Sequence, residues 1–193
     1  MRRKISTGIL ILLTALPAFG NVPKLAPLQP QPALHLMNDA EFAQFLQQLD
    51  SGLVRWSVQL KSLNLRTLGL DPRETKELER SQNRCLQALE NTRAEIEELS
   101  RKQTLKLDFL LLVDLNDLAR NLDGLNRDLA DPLSAGDIAA RKSLAYAKQV
   151  LNIDTALTPR IGEFQQHVLA FAEVMDAMLQ LQDRDANQSP GQK

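Results

Sequence analysis

The sequence predicts an all-α fold, an antiparallel bundle of four long helices, and three observations carry that prediction. Apolar, leucine-rich positions recur at alternating spacings of four and three residues through most of the chain. Capping residues and prolines punctuate these stripes where helices begin and end. No segment alternates apolar and polar residues with the period of two that a half-buried strand requires.

The first helix opens at Asn38, with Glu41 three residues on, the spacing of a capping box. Its stripe runs Phe42, Leu46, Leu49, Leu53, Trp56, Leu60 and Leu63. Gly69 is placed to end it as a left-handed cap. The second helix begins at Asp71-Pro72-Arg73-Glu74, which supplies an N-cap acceptor, a proline at the first helical position and a glutamate at the third. Leu78, Cys85, Leu89, Ile96 and Leu99 form its stripe, and Glu97/Arg101 and Glu98/Lys102 pair at i,i+4 on its charged face.

The third helix carries Leu111, Leu115, Leu118, Leu122, Leu125 and Leu129, and stops at Asp131-Pro132. Between the second and third lies no glycine or proline, but Gln103 falls where an apolar residue is due. The phase change predicts a turn at Arg101–Thr104. The alternative is one helix from Pro72 to Ala130, about 88 Å long at 1.5 Å per residue, which makes the molecule an elongated rod. Leu107–Leu115 contains five consecutive apolar residues, the expectation for a central helix buried on several sides; the alternative is a second exposed face for self-association.

The fourth helix starts within Ser134–Asp137. Tyr146, Val150, Ile153 and Leu157 form its first stripe; Ile161, Phe164, Val168, Phe171, Met175 and Met178 form its second. Thr158-Pro159 between them predicts a kink, or a break that gives five helices. The repeated stripes share spacing alone, so they are helices obeying one packing rule and not duplicated modules.

The ends read differently. Residues 1–20 have a basic start (Arg2, Arg3, Lys4), a short apolar centre and Ala18-Phe19-Gly20, the pattern of a cleaved secretory signal peptide. The apolar run from Ile5 to Phe19 is short for a bilayer span of ~20 residues. Residues 21–37, with Pro23, Pro27, Pro30 and Pro32, read as a proline-rich extended arm. Residues 38–184 are the helical-bundle domain, and 185–193 a disordered tail.

Cleavage after Gly20 removes three of the 23 basic residues and none of the 24 acidic ones, leaving a net charge of −4. That acidity argues against a nucleic-acid binder. The single cysteine, Cys85, rules out an intrachain disulfide framework. Cys85 is either a core residue of the second helix or, in an oxidising compartment, an intermolecular thiol.

His167 is the one histidine within the helical segments. Glu163 precedes it by four residues, one more than the Glu-x-x-His spacing of carboxylate-bridged metal sites, and the pattern occurs once. No metal site and no cofactor are therefore expected. A pocket lined by His167, Met175 and Met178 is the candidate for a small ligand or haem, although no C-x-x-C-H motif is present. Asp114, Asp117 and Asn121 share a face of the third helix that reads as solvated. No nucleophile elbow or glycine-rich phosphate loop occurs, so catalysis is not expected.

The sequence thus predicts an exported protein, periplasmic or secreted, that works by protein–protein interaction or as an envelope structural component. The expected partner is another envelope or extracellular protein, with homodimerisation open, no nucleic acid, and no stable membrane span after signal cleavage. Its partner-facing charges are predicted on the second helix: Glu90, Arg93, Glu97, Glu98, Arg101 and Lys102. The alternative is a periplasmic carrier of a small ligand or haem near His167, Met175 and Met178.

Overall fold

The computed structural model describes residues 34–132 and 135–188. The predicted signal peptide, the arm up to Ala33 and the last five residues lie outside the described residues. Four α-helices follow in order: α1 Asp39–Lys61, α2 Pro72–Arg101, α3 Leu105–Ala130 and α4 Asp137–Gln188, with a 3-10 turn at Leu65–Leu68 between α1 and α2.

The starts follow from local chemistry. The Asn38 side-chain oxygen accepts the N–H groups of Ala40 and Glu41, both at 3.0 Å, while the Asn38 N–H donates to Glu41 Oε2 at 2.8 Å. Three otherwise orphaned donors are satisfied by two side chains. Asp71 accepts from Arg73 and Glu74 N–H at 2.7 and 2.9 Å, with Pro72 at the first helical position. Thr104 caps α3 through its hydroxyl, which accepts the Leu107 N–H at 3.3 Å.

The bundle runs up-down-up-down, and polar contacts fix each neighbouring pair. Gln82 Nε2 donates to the carbonyls of Leu60 and Leu63, joining α2 to the end of α1. Ser81 donates to Asp128 Oδ2 at 2.9 Å, joining α2 to α3. Ser143 donates to the Leu129 carbonyl at 2.6 Å, joining α3 to α4. Arg160 Nη2 donates to Gln48 at 3.0 Å, closing α4 onto α1. Inside, Leu111, Leu115, Leu118, Leu122, Leu125 and Leu129 are all fully buried, as are Leu53 and Leu60 of α1, Cys85 of α2, and Val150, Leu157, Phe164 and Val168 of α4. Burying each such leucine stabilises the fold by roughly 1.5–3 kcal/mol relative to leaving it in water. Backbones approach most extensively where α3 meets α2 and α4, whereas α1 packs through large side chains, with Phe42, Phe45, Leu49, Leu53, Trp56 and Leu60 all buried.

The turn expected at Arg101–Thr104 is present: Lys102 takes an extended conformation (φ −157°, ψ 109°) ahead of the Thr104 cap, so the alternative of one helix from Pro72 to Ala130 does not form. Three sequence expectations are corrected. Gly69 does not end α1: that helix stops at Lys61, and Gly69, at φ +70°, closes the 3-10 turn instead. α4 is one helix through Pro159 and runs to Gln188, so the helix extends past the boundary at 184 where the tail was expected to start. Finally, the apolar run in α3 is not buried on several sides: Leu111 and Leu115 face the core, whereas Phe109, Leu110 and Val113 are exposed.

Candidate interaction site

Two features stand out at the end of the bundle where α1 begins, α2 ends and α3 begins. One is a groove; the other is a buried aromatic and polar cluster beneath it.

The groove lies between the first half of α1 and the second half of α2 and has a volume of about 820 Å³. Phe42, Leu46, Ile96 and Leu99 form its floor, and Ala43 and Ala94 give it low walls. Charged side chains line its rim. Five of the six charges read from the sequence as partner-facing lie there: Glu90, Arg93, Glu97, Arg101 and Lys102. Glu98 is exposed and does not line it. Arg93 donates to Asp50 across the groove at 2.8 Å, and Arg101 pairs with Glu97 on the same helix. Both pairs are solvent-exposed, so each stabilises the fold by no more than about 1 kcal/mol and can be exchanged for a partner's charges at little cost.

The cluster centres on His167, which is 1% exposed. Its ring stacks on Phe42 at 4.8 Å between centroids, with Phe164 at 6.0 Å and Phe171 at 6.2 Å. The Met37 N–H donates to Nδ1 at 3.1 Å, so Nδ1 keeps its lone pair and the neutral ring carries its proton on Nε2. The Gln103 side-chain amide lies 3.1 Å from Nε2. An Nε2–H requires an acceptor, which assigns the amide oxygen of Gln103 to that position. Burial, and secondarily the charge of His35, lowers the basicity of His167.

Asp108 belongs to the same end of the fold. It is fully buried in the first turn of α3, and neither carboxyl oxygen has a hydrogen-bond partner. Burial pushes its pKa up to about 6, and the Gln103 side chain offsets this in part from outside hydrogen-bond geometry. An unpaired buried carboxylate is costly, and protonation is the cheaper state.

The structure does not bring His167, Met175 and Met178 together as a pocket. Both ring nitrogens of His167 are occupied inside the core, while Met175 and Met178 are 36% and 54% exposed on the part of α4 that continues past the bundle. Cys85 is fully buried, and burial raises its thiol pKa to about 12, so it is not presented to a second chain. Among the described residues no group of three histidine, cysteine or acidic side chains gathers as a metal site, and no helix is long and apolar enough to cross a membrane.

Sequence reasoning missed Asp108. Its signal is the register of α3: counting back from Leu129, Leu125, Leu122, Leu118, Leu115 and Leu111, the next inward position is residue 108. No protein family, curated protein or solved structure matches this chain.

Proposed function

We propose that this protein is an exported helical bundle that acts by binding another protein of the envelope or extracellular space, with an amphipathic helix of the partner lying in the groove between α1 and α2. The observation that carries this reading is the groove itself, with an apolar floor and a rim of both charge signs. Its α1 wall runs from Asp39 to Asp50, three helical turns or about 17 Å, which suits a short helix nested between two helical walls.

The experiment is a photo-cross-linking residue at Ala94 in the producing cell, with the exposed Arg120 on α3 as the control position. The expected result is one discrete heteromeric product from position 94 and none from 120. Combining Arg93→Glu with Arg101→Glu removes that product. Mass spectrometry of the cross-linked chain from the extracytoplasmic fraction reads the export half of the proposal: a mature N-terminus at Asn21 supports it. Equal products at both positions, or a chain confined to the cytoplasm, overturns it.

A further inference from the structure

Asp108, His167 and Met37, from three separate parts of the chain, are connected through one amide, that of Gln103. Gln103 lies in the turn between α2 and α3 and places one atom of its amide 3.1 Å from Nε2 of His167 on α4. The same end of the amide bears on Asp108 in the first turn of α3: a nitrogen there donates toward the carboxyl group and favours its ionised form. Asp108 is fully buried, and neither of its oxygens has a partner within hydrogen-bond geometry. On the other side of the imidazole, the Met37 N–H donates to Nδ1 at 3.1 Å.

One end of an amide either accepts or donates, never both. With the oxygen turned inward, both neighbours must donate: His167 carries its proton on Nε2, and Asp108 is the neutral acid. Nδ1 is then bare and accepts the Met37 N–H, the bond observed. With the nitrogen turned inward, both neighbours must accept: Asp108 is the carboxylate, and Nε2 is bare. The imidazole keeps one proton but now carries it on Nδ1, where it meets the Met37 N–H donor to donor, and that bond is lost. The proton given up to solvent is that of Asp108. Gln103 is itself exposed, so its amide turns over without repacking the core.

We propose that Asp108, Gln103 and His167 form a proton-operated catch on the start of α1: the acid form of Asp108 keeps Met37 bonded to His167, and the ionised form releases it. Phe42, stacked on His167 at 4.8 Å, and Gln103 both line the groove, so one end of the groove is freed with the catch. The catch is a property of the fold and stands whether or not the groove holds a guest.

The surrounding groups set its direction. Burial raises the pKa of Asp108 to about 6, and no charged side chain contributes to that rise. From α4 the facing titratable group is His167, whose basicity is lowered by burial and then by His35, ahead of α1. His35 pairs with Glu41 of α1 at 3.7 Å. Arg101 and Lys102, where α2 ends, are exposed, and Arg101 is paired with Glu97. A second proton on His167 puts an N–H on both ring nitrogens and also breaks the Met37 bond. The catch is therefore closed in mildly acidic solution and open on either side, with its upper limit set by Asp108 at about pH 6.

Hydrogen exchange of the Met37 amide and nitrogen NMR of the His167 ring, on the full chain between pH 4 and 8, test this. The expected Met37 protection factor peaks in mildly acidic solution and falls at least about tenfold by pH 8, while the ring proton moves from Nε2 to Nδ1. Asp108→Asn, whose amide still donates to the Gln103 oxygen, keeps the protection and the Nε2 tautomer up to pH 8. Gln103→Met cuts the link, so His167 keeps one tautomer from pH 6 to 8 although Asp108 still titrates. Circular dichroism checks that both variants retain their helices, and the wild-type ring spectrum decides alone if either does not. A wild-type ring with one tautomer from pH 6 to 8 overturns the proposal, as does an Asp108→Asn chain that still loses Met37 protection over that range. An undiminished loss in Gln103→Met also overturns it, because Asp108 then acts on Met37 by destabilising the whole fold and not through the amide.

Discussion

The Met37 N–H donates to Nδ1 of His167 at 3.1 Å, tying the residue before the first helix to the last helix across 130 positions of sequence. This bond fixes the histidine tautomer and holds Met37 in the core, 6% exposed, over the ring stack of Phe42, Phe164 and His167. It also fastens the start of α1 at the end where the groove opens.

His167→Leu removes this fastening while keeping the volume apolar. The Met37 N–H and the Gln103 amide lose their partner, and an unpaired buried polar group costs about 1–3 kcal/mol. The expected outcome is a stability loss of about 2–3 kcal/mol, read from urea unfolding. Hydrogen exchange is expected to rise in the first turns of α1 more than in α3. A uniform rise across all four helices sinks the idea that His167 anchors α1 in particular.

Asp108 and His167 give stability opposite dependences on pH. The ordinary Asp pKa is 3.8 and burial raises that of Asp108 to about 6, so between these values the unfolded chain gives up its proton first. The contribution is present in full below 3.8, falls as pH rises and is lost above 6, at a cost of about 3 kcal/mol. His167 works the other way: its lowered pKa favours the fold above pH 6.5 and is lost as pH drops below that value. Asp108→Asn is therefore expected to raise the unfolding free energy, read from urea unfolding, by up to about 3 kcal/mol at pH 7.5 and to leave it nearly unchanged at pH 3.5. An equal effect at both pH values means the carboxyl is not held protonated by burial.

The seams and caps were legible because they are local. Asn38 and Asp71 start their helices with hydrogen bonds spanning three residues, and Gln103 marks the α2–α3 turn by interrupting an otherwise apolar register. The end of α1 was misread for a reason of the same scale. Ser62 donates its hydroxyl to the Gln59 carbonyl at 2.6 Å, a local competition with the helix that the apolar letters Leu60 and Leu63 conceal. What sequence could not supply was the pairing of distant ends. Nothing around His167 names Met37, and the periodicity of α4 is the same before and after Phe171, although only the earlier part has neighbours.

Cys85 is expected to behave as a core residue. It is fully buried, and burial raises its thiol pKa to about 12, so almost no thiolate exists at pH 8 to react. Thiol reagents should label it only at the rate of unfolding, and non-reducing electrophoresis should show no cysteine-linked dimer. A dimer band lost on reduction overturns this.

Two glycines offer a closing test of how backbone conformation decides the sign of one substitution. Gly124 sits in the interior of α3, and a methyl group added there meets nothing within 4 Å. Alanine restricts the unfolded chain and suits the helix, so Gly124→Ala is expected to raise stability by about 0.5–1 kcal/mol. Gly69 has equally open space around it but holds φ at +70°. There a side chain strains the backbone, and Gly69→Ala is expected to lower stability by about 1–2 kcal/mol. Urea midpoints of the two variants should move in opposite directions. If Gly69→Ala also stabilises, the connection from α1 to α2 does not depend on the left-handed turn, and the 3-10 segment is free to close another way.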